Sequence, residues 1–427
     1  MMKILKEGDV SAQEILSRAG SGVDVSATVS EILADVRQNG DSALFQYCER
    51  FDHAHLTALE VSSEEMDAAM AAVDPGFLDI LREAAENIRS FHRQQLRSSF
   101  ILTEKPGVVM GQKIIPIEKV GLYVPGGTAA YPSTVLMDAI PAKLAGCREI
   151  VIVSPPGPGG KLPDAILAAA RIAGVDRVFK VGGAQAIGAL AYGTQSIPKV
   201  DKIVGPGNAY VAEAKRQVFG LVSIDMIAGP SEILVVADGS SNPVHLAADL
   251  LSQAEHDRMA SAVLITNSMA LAAAVQEEVE RQLQLLPRQE IARASIDSNG
   301  KIIVTDSIPR AIEIANDLAP EHLELCVDSP FDYLDAVRNA GSIFLGRYCP
   351  EALGDYLAGP NHTLPTSGTA RFSSPLSVDD FVKKSQYTYF TREALQKVSG
   401  SIAAFAEKEG LQAHARSALI RFEESQS

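Results

Sequence analysis

Residues 122–153 read LYVPGGTAAYPSTVLMDAIPAKLAGCREIVIV and contain, in order, a short apolar strand, a glycine turn, a helix and a second strand. The helix opens at Pro132, and the second strand is the β-branched run at residues 150–153. Residues 234–266 repeat this order loosely, with a turn at Gly239 and a helix that opens at Pro243. Short β-branched runs that alternate with helices are typical of parallel sheets, so the repeat predicts two related α/β units.

The segments on either side have a different character. Residues 11–97 carry apolar side chains three and four positions apart, which predicts helices, and residues 379–424 are predicted to be a run of helices with a break at Gly410. The fold class is therefore α/β, with two related, mainly parallel-sheet domains of incomplete Rossmann-like topology and helical N- and C-terminal segments. The predicted parts are an N-terminal helical segment (1–20), a first α/β domain (21–122 and 232–370), a second α/β domain (123–231) and a C-terminal helical tail (371–427).

Composition limits the possible functions. The chain has 427 residues, of which 46% are hydrophobic, and a formal net charge of -15. An acidic protein of this kind is not expected to bind nucleic acid, because phosphate contacts require lysine and arginine. We also expect no membrane segment, since no stretch is long and apolar enough. The four scattered cysteines fit a reducing compartment, so the expected location is cytoplasmic.

One helical segment, residues 244–256, places two candidate ligands together. Gln253 and His256 are three positions apart and so share a face of the predicted helix. Zinc accepts imidazole nitrogen and oxygen ligands from several elements, and Asp355 and His414 would complete such a set. The alternative interpretation is that His256 simply ends the helix, where a cation complements the helix dipole.

A second candidate site is the pair Glu321 and His322, which follows Pro320 and precedes an alternating, strand-like run. Loops at the edge of an α/β sheet often carry catalytic groups. An adjacent histidine and glutamate can divide proton transfer and water activation between them. A solvated pair at the start of a strand has the same pattern, and the spacing alone does not separate these interpretations.

Three glycine turns follow predicted strands, at residues 125–127, 182–183 and 205–208. Such turns let backbone amides approach a phosphate closely. None has the G-x-G-x-x-G pattern of dinucleotide-binding proteins, so each turn is consistent with a ligand site or with a tight turn only.

Taken together, these segments resemble the histidinol dehydrogenase family along nearly the whole chain. The motifs that carry the resemblance are VGLYVPGG (120–127), VGGAQAI (181–187), GPGNAYV (205–211), AGPSE (228–232), LLSQAEH (250–256), APEHL (319–323), GDY (354–356), NHTLPT (361–366), and Glu409 with His414. The resemblance implies an NAD-dependent, zinc-containing oxidoreductase that converts L-histidinol to L-histidine by two successive hydride transfers. The reaction would pass through an aldehyde-level intermediate in the last steps of histidine biosynthesis.

The same resemblance implies a role for particular residues. His322 would be the acid/base and Glu321 would activate water. One zinc per subunit would be held by Gln253, His256, Asp355 and His414. NAD would contact Tyr123, Gln185 and Asn208. L-histidinol would contact Ser231, His322, Glu409 and the zinc ligands. The family also implies a homodimer with shared active sites, in which Glu409 and His414 come from the partner subunit.

Two other functional classes remain open from the residues alone. A zinc hydrolase could use Glu321 to activate a metal-bound water and would need no nicotinamide. A non-catalytic oligomer could use the histidine and aspartate side chains only to join subunits. Substitution of Glu321 and His322 would separate the last class from the enzymes, because a non-catalytic protein would tolerate it.

Overall fold

The protein is described by a computed structural model that covers residues 1–11, 14, 24–126 and 130–423. Its strands are numbered along the chain: β1 (Lys3–Lys6), β2 (Phe100–Leu102), β3 (Val108–Pro116), β4 (Lys119–Tyr123), β5 (Glu149–Ser154), β6 (Arg177–Lys180), β7 (Lys202–Val204), β8 (Ser223–Ile224), β9 (Glu232–Ala237), β10 (Ser261–Thr266), β11 (Lys301–Val304), β12 (His322–Cys326), β13 (Ser342–Leu345) and β14 (Val382–Phe390).

The α-helices of the described residues are α1 (Ser26–Asn39), α2 (Asp41–Asp52), α3 (Ser63–Ala72), α4 (Pro75–Arg93), α5 (Pro132–Ala145), α6 (Asp164–Ala173), α7 (Gly183–Tyr192), α8 (Ala209–Val218), α9 (Pro243–Ala254), α10 (Met269–Leu283), α11 (Gln289–Asn299), α12 (Ile308–Leu318), α13 (Glu351–Tyr356), α14 (Arg392–Lys408) and α15 (Gln412–Leu419). Short 3₁₀ turns span Pro330–Ala336, Thr369–Arg371, Val378–Phe381 and Ile420–Phe422. None of these described helices has the length and apolar character that a membrane span requires.

The chain divides into two compact units. Unit 1 comprises Met1–Gln95 with Ile117–Phe381, and unit 2 comprises Leu96–Pro116 with Val382–Ser427. Unit 1 contains both parallel sheets. Unit 2 contains a three-stranded antiparallel sheet in the order β14-β3-β2, followed by helices α14 and α15.

The two parallel sheets of unit 1 have the same connectivity. The five-stranded sheet has the order β6-β5-β4-β7-β8, and the six-stranded sheet has the order β1-β11-β10-β9-β12-β13. In each, the first strand of a run of five (β4 or β9) is central, the next two strands extend to one side and the last two extend to the other. The six-stranded sheet has β1 as an additional edge strand beside β11. The chain therefore reverses direction across the sheet once, between β4 and β7 and between β9 and β12. The predicted fold class, with two related parallel-sheet units, is confirmed.

Alternation of side chains along the strands explains why both faces of each sheet are covered. Ile233 and Val235 of β9 pack with α9, α10 and α11, whereas Leu234 and Val236 pack on the opposite face with α12. Successive residues of a strand point to opposite faces, and a strand that is apolar on both must be buried on both. The five-stranded sheet is covered in the same way, by α4, α5 and α6 on one face and by α1, α2, α7 and α8 on the other.

Two secondary-structure predictions were wrong. Lys3–Lys6, inside the predicted helical segment 1–20, form strand β1, which pairs in parallel with β11. Residues 12–13 and 15–23 lie outside the described part of the chain. Val382–Phe390, inside the predicted helical tail, form strand β14, which pairs with all nine residues of β3. The break at Gly410 is confirmed, with α14 ending at Lys408 and α15 beginning at Gln412.

Candidate active site

The predicted catalytic pair lies at the amino ends of two neighbouring parallel strands, β9 and β12. His322 is the first residue of β12 and is paired in register with Ile233 of β9. The backbone of Glu232 holds both members of the pair: its N–H donates to Oε2 of Glu321 (2.8 Å), and its carbonyl oxygen lies 2.9 Å from Nδ1 of His322. Glu321 and His322 are therefore both held by the backbone of one residue, Glu232.

Both side chains are buried, with exposed fractions of 7% for Glu321 and 5% for His322. A solvated pair at the strand start, one of the two interpretations of the sequence, is therefore wrong. Burial raises the pKa of Glu321 well above its ordinary value, although the hydrogen bond from Glu232 opposes this shift. A carboxyl group with a raised pKa is a stronger base once it is ionised, which is the property that water activation requires.

The second nitrogen of His322 faces other carboxylates. Nε2 lies 3.7 Å from Oε1 of Glu351, which is on helix α13. Ligand atoms of His322, Glu351 and Asp355 all lie within 4.8 Å of one another. Burial, and next the charge of Asp355, raise the pKa of Glu351 to about 7. Helix α13 thus brings two acidic side chains, four residues apart, to His322.

Asp355, a predicted zinc ligand, is paired with a second histidine. Nδ1 of His362 lies 3.3 Å from Oδ1 of Asp355, and its Nε2 lies 3.4 Å from the hydroxyl of Thr134 at the start of α5. Burial opposes ionisation of Asp355, but the hydrogen bond and charge of His362 outweigh it and lower the pKa of Asp355 to about 2. The carboxylate is therefore ionised, as a metal ligand must be.

The other predicted zinc ligands of unit 1 come from the end of α9. Gln253 is buried, and its Oε1 has no hydrogen-bond partner within the described chain. The helix ends at Ala254, so His256 lies just beyond it, and its side chain is exposed. Desolvation of its imidazole ring lowers the pKa of His256, and the charge of Asp355 opposes this shift. An unpartnered buried oxygen next to carboxylates and imidazoles is a donor set that fits a cation.

The predicted NAD contacts lie in the other parallel sheet, at the carboxyl edge of its five strands. Tyr123 ends β4, Gln185 is in the first turn of α7 after β6, and Asn208 caps α8 after β7. The Tyr123 hydroxyl accepts a hydrogen bond from the N–H of Gly183 (3.0 Å), beside which the Gln185 side chain also lies. Gly127, part of the first glycine turn, is outside the described residues.

This edge is also where the strand order of the sheet reverses. The reversal falls between β4 and β7, and open α/β sheets bind ligands in the crevice at that position. The glycine turn at 205–208 follows β7 directly and opens α8, so its amides precede a helix N-terminus.

The remaining predicted residues have separate locations. Ser231 immediately precedes Glu232, and its carbonyl accepts from the N–H of Ser261 (2.9 Å). Glu409 and His414 belong to unit 2, where both are exposed, Glu409 at the end of α14 and His414 in α15. Their contribution to the site stays a prediction.

Sequence reasoning missed Glu351 and gave His362 no role. Glu351 stands four residues before Asp355, which was a usable signal because such residues share a helix face. His362 lies within a motif of the family resemblance, but nothing in its local sequence indicates a contact with Asp355.

The fold is that of an α/β protein with two parallel sheets of related strand order. The buried histidine and carboxylates at the amino end of β12 have the chemistry of an enzyme acid–base site. The family model described as histidinol dehydrogenase matches residues 17–422. The chain belongs to the histidinol dehydrogenase family, as its sequence motifs predicted.

Individual relatives agree with this assignment. Histidinol dehydrogenase of Bacillus cereus is 56% identical, over 99% of this chain and 96% of the relative. Histidinol dehydrogenase of Clostridium acetobutylicum is 52% identical, over 99% of each chain. The crystal structure of histidinol dehydrogenase from Elizabethkingia anophelis superposes with a TM-score of 0.94 at 40% identity, covering 100% of this chain and 99% of that chain.

Proposed function

We propose that this protein is an NAD-dependent oxidoreductase that converts L-histidinol to L-histidine in histidine biosynthesis, by two successive hydride transfers. The observation that carries the proposal is the pair Glu321 and His322, buried and held by the Glu232 backbone, in a chain that belongs to the histidinol dehydrogenase family. We infer the substrate from the names of the relatives. We infer the acid and base from the positions of Glu321 and His322.

The hydrogen bond to Glu232 supports one nitrogen of His322 as the base. Its Nδ1 faces a carbonyl oxygen, which can only accept, so Nδ1 must carry a proton and donate it. In the neutral ring Nε2 then has the free lone pair. We assign Nε2 of His322 as the group that removes the hydroxyl proton of the alcohol during the first oxidation.

The second oxidation requires a water molecule. Addition of water to the aldehyde gives a hydrate, which loses hydride as an alcohol does. Glu321 would take the proton from that water, and its raised pKa suits it to this task. His322, after releasing its first proton to the solvent, would then remove a proton from the hydrate during the second hydride transfer. NAD would supply the hydride acceptor for each oxidation, and the NADH formed in the first would be exchanged for a second NAD before the second.

Zinc would be held by Gln253, His256, Asp355 and His414, with one ion per subunit. The unpartnered Oε1 of Gln253 and the ionised Asp355 support this assignment. Bound zinc would act as a template that fixes the polar groups of the substrate. Ser231 and Glu409 would contact the substrate, together with His322 and the zinc ligands.

NAD would bind at the carboxyl edge of the five-stranded sheet, with Tyr123, Gln185 and Asn208 as contacts. The location of all three after β4, β6 and β7 supports this site, because the strand order reverses there.

The active form would be a homodimer in which Glu409 and His414 enter the site of the partner subunit. Unit 2 supports this arrangement, since large apolar side chains are exposed on it, among them Ile101, Tyr389 and Phe405. Exposed apolar surface of this kind usually marks an interface. The cytoplasm is the proposed location, because all four cysteines are free thiols.

The decisive experiment follows NADH absorbance with purified protein, NAD and L-histidinol, with and without a chelator. About two NADH per histidinol consumed, abolished by the chelator, would support the two-step zinc-dependent oxidation expected of a metal-positioned alcohol. About one NADH would mean that the aldehyde leaves and that the role given to Glu321 is wrong. No NADH would refute the proposed reaction.

A further inference from the structure

A fully buried ion pair lies beneath the third glycine turn of unit 1. Nζ of Lys215, on α8, contacts Oδ1 of Asp225, which follows β8, and their side chains are only 2% and 1% exposed. The same two side chains bind the backbone of Gly205: Lys215 Nζ donates to its carbonyl oxygen (2.9 Å), and Asp225 Oδ2 accepts from its N–H (2.8 Å). Both polar backbone groups of Gly205 are therefore fixed by one ion pair.

Stability alone is a poor explanation for this pair. Removing two charges from water costs several kcal/mol per ion, and a buried ion pair is often no more stabilising than an apolar pair of the same volume. A buried pair is best explained where it sets a geometry that apolar side chains cannot set. Here the geometry that it sets is the orientation of the Gly205 peptide groups.

Gly205 also lies against the neighbouring turn. Its φ is +115°, and a Cβ atom built on it would lie 2.2 Å from the carbonyl oxygen of Tyr123. The turn at Gly205 and the end of β4 thus meet with backbone against backbone. The hydrogen bonds from Lys215 and to Asp225 oppose a rotation of the Gly205 peptide groups that would separate the two segments.

The orientation of Gly205 is transmitted to the start of α8. Pro206 has a fixed φ, and Asn208 caps the helix by accepting from the N–H groups of Tyr210 (3.0 Å) and Val211 (3.2 Å). Gly205 is held by the ion pair and Asn208 caps α8, so few backbone torsions of the turn between them remain free to rotate. The turn leads directly into the N-terminus of α8, and it follows β7, where the strand order of the sheet reverses.

We infer that Lys215 and Asp225 are positioning residues for the dinucleotide: their ion pair holds the 205–208 turn in the shape that receives NAD. The inference rests on the proposed function, which places NAD at this turn. The two residues lie beneath the turn and act through the Gly205 backbone, so neither is expected to contact the cofactor or the substrate.

The test is Lys215→Met, which keeps the length of the side chain but removes its charge. Lys202→Met is the matched control, because Lys202 is a buried lysine of the adjacent strand β7 that pairs with Asp380 (3.2 Å). The holoenzyme of each variant is compared with wild type for KM of NAD, KM of L-histidinol, zinc content and circular dichroism. We expect the KM of NAD to rise at least about tenfold in Lys215→Met alone. The KM of L-histidinol and the zinc content should stay within about twofold of wild type.

A folded Lys215→Met variant with an unchanged KM for NAD would overturn the inference, and so would equal rises for both substrates or in both variants. If Lys215→Met does not fold, Asp225→Asn is measured on the same terms, since it keeps the side-chain volume and an acceptor for Gly205. Failure of the proposed function gives a different result: the wild-type protein itself would then neither bind NAD nor reduce it.

Discussion

Substitution of Gly205 by alanine tests the contact between the two turns at the carboxyl edge of the five-stranded sheet. Gly205 has a φ of +115°, and its added Cβ would lie 2.2 Å from the Tyr123 carbonyl oxygen. Gly220 offers a matched control in the same unit: its φ is +98°, and a Cβ there meets nothing within 4 Å. The two substitutions share the backbone strain and differ in the clash.

The magnitudes follow from these two contributions. A side chain at positive φ lowers the free energy of unfolding by about 1–2 kcal/mol, and this loss applies to both variants. Overpacking against a neighbouring backbone lowers the free energy of unfolding by about 1–3 kcal/mol more, and this loss applies only to Gly205→Ala. Unit 1 has about 360 residues, and at about 2.1 cal/mol/K of unfolding entropy per residue each kcal/mol lowers its Tm by about 1.3 °C. We therefore expect a fall of about 1–3 °C in Gly220→Ala and about 3–7 °C in Gly205→Ala.

The assay is thermal unfolding followed by circular dichroism, together with the KM of NAD for each variant. Gly205→Ala should also raise this KM at least about tenfold, because the two turns would have to separate to admit the methyl group. Equal losses of Tm in the two variants would refute the reasoning, since the clash would then contribute nothing. A larger loss of Tm with an unchanged KM would refute only the link between the turn and the cofactor.

Other substitutions give separate results. His256→Ala should lose zinc measured by atomic absorption, whereas His322→Asn should retain zinc and lose turnover by about 10²–10⁴-fold; full zinc in His256→Ala would contradict the ligand assignment. Glu321→Gln should slow oxidation of the aldehyde, supplied as substrate, more than oxidation of the alcohol; equal slowing would argue against its role with water. Mixing inactive His414→Ala and His256→Ala chains should restore some activity in heterodimers, and no recovery after reassembly would indicate a site within one chain. Burial raises the pKa of Asp138 to about 7, so the folded protein binds a proton that the unfolded chain has released, and stability is lost as pH rises from about 4 through 7. Between pH 5 and 8 the Tm of wild type should therefore fall more than that of Asp138→Asn, and parallel Tm curves would show that Asp138 does not titrate in this range.

The parallel sheets were predictable because their signals are local. β9 and β10 are continuous apolar, β-branched runs, and such runs are buried on both faces only when helices cover both sides of a sheet. The adjacent pair Glu321 and His322 was predictable for the same reason, since both residues stand at the start of one strand.

The errors arose where structure depends on distant pairing. β14 is a polar strand with exposed side chains over much of its length, and it is a strand because β3 pairs with it along nine residues. β1 likewise exists through its pairing with β11. Such pairing partners leave no mark in the local sequence, which is why these segments were predicted to be helical.

The sequence also did not predict where the proposed catalytic pair lies in the sheet. Ligand sites of open α/β sheets are expected at carboxyl ends, yet Glu321 and His322 lie at the amino ends of β9 and β12. Glu351 is held beside β12 by a hydrogen bond from its N–H to Oε1 of Glu324 (2.8 Å), and that contact depends on tertiary structure. A single sequence indicates which residues have suitable chemistry but not which edge of a sheet brings them together.

The pairing of β3 with β14 has a consequence for synthesis on the ribosome. The strands of the five-stranded sheet are contiguous in the chain, from Lys119 to Ile224, so that sheet can form as soon as this segment has emerged. Pro116 of β3, in contrast, pairs with Val382, which is synthesised about 270 residues later. At 5–20 residues per second, β3 waits roughly 15–50 s for its partner strand. During this interval the nascent chain presents an unpaired strand edge, and that edge is where chaperone binding or aggregation during synthesis is expected.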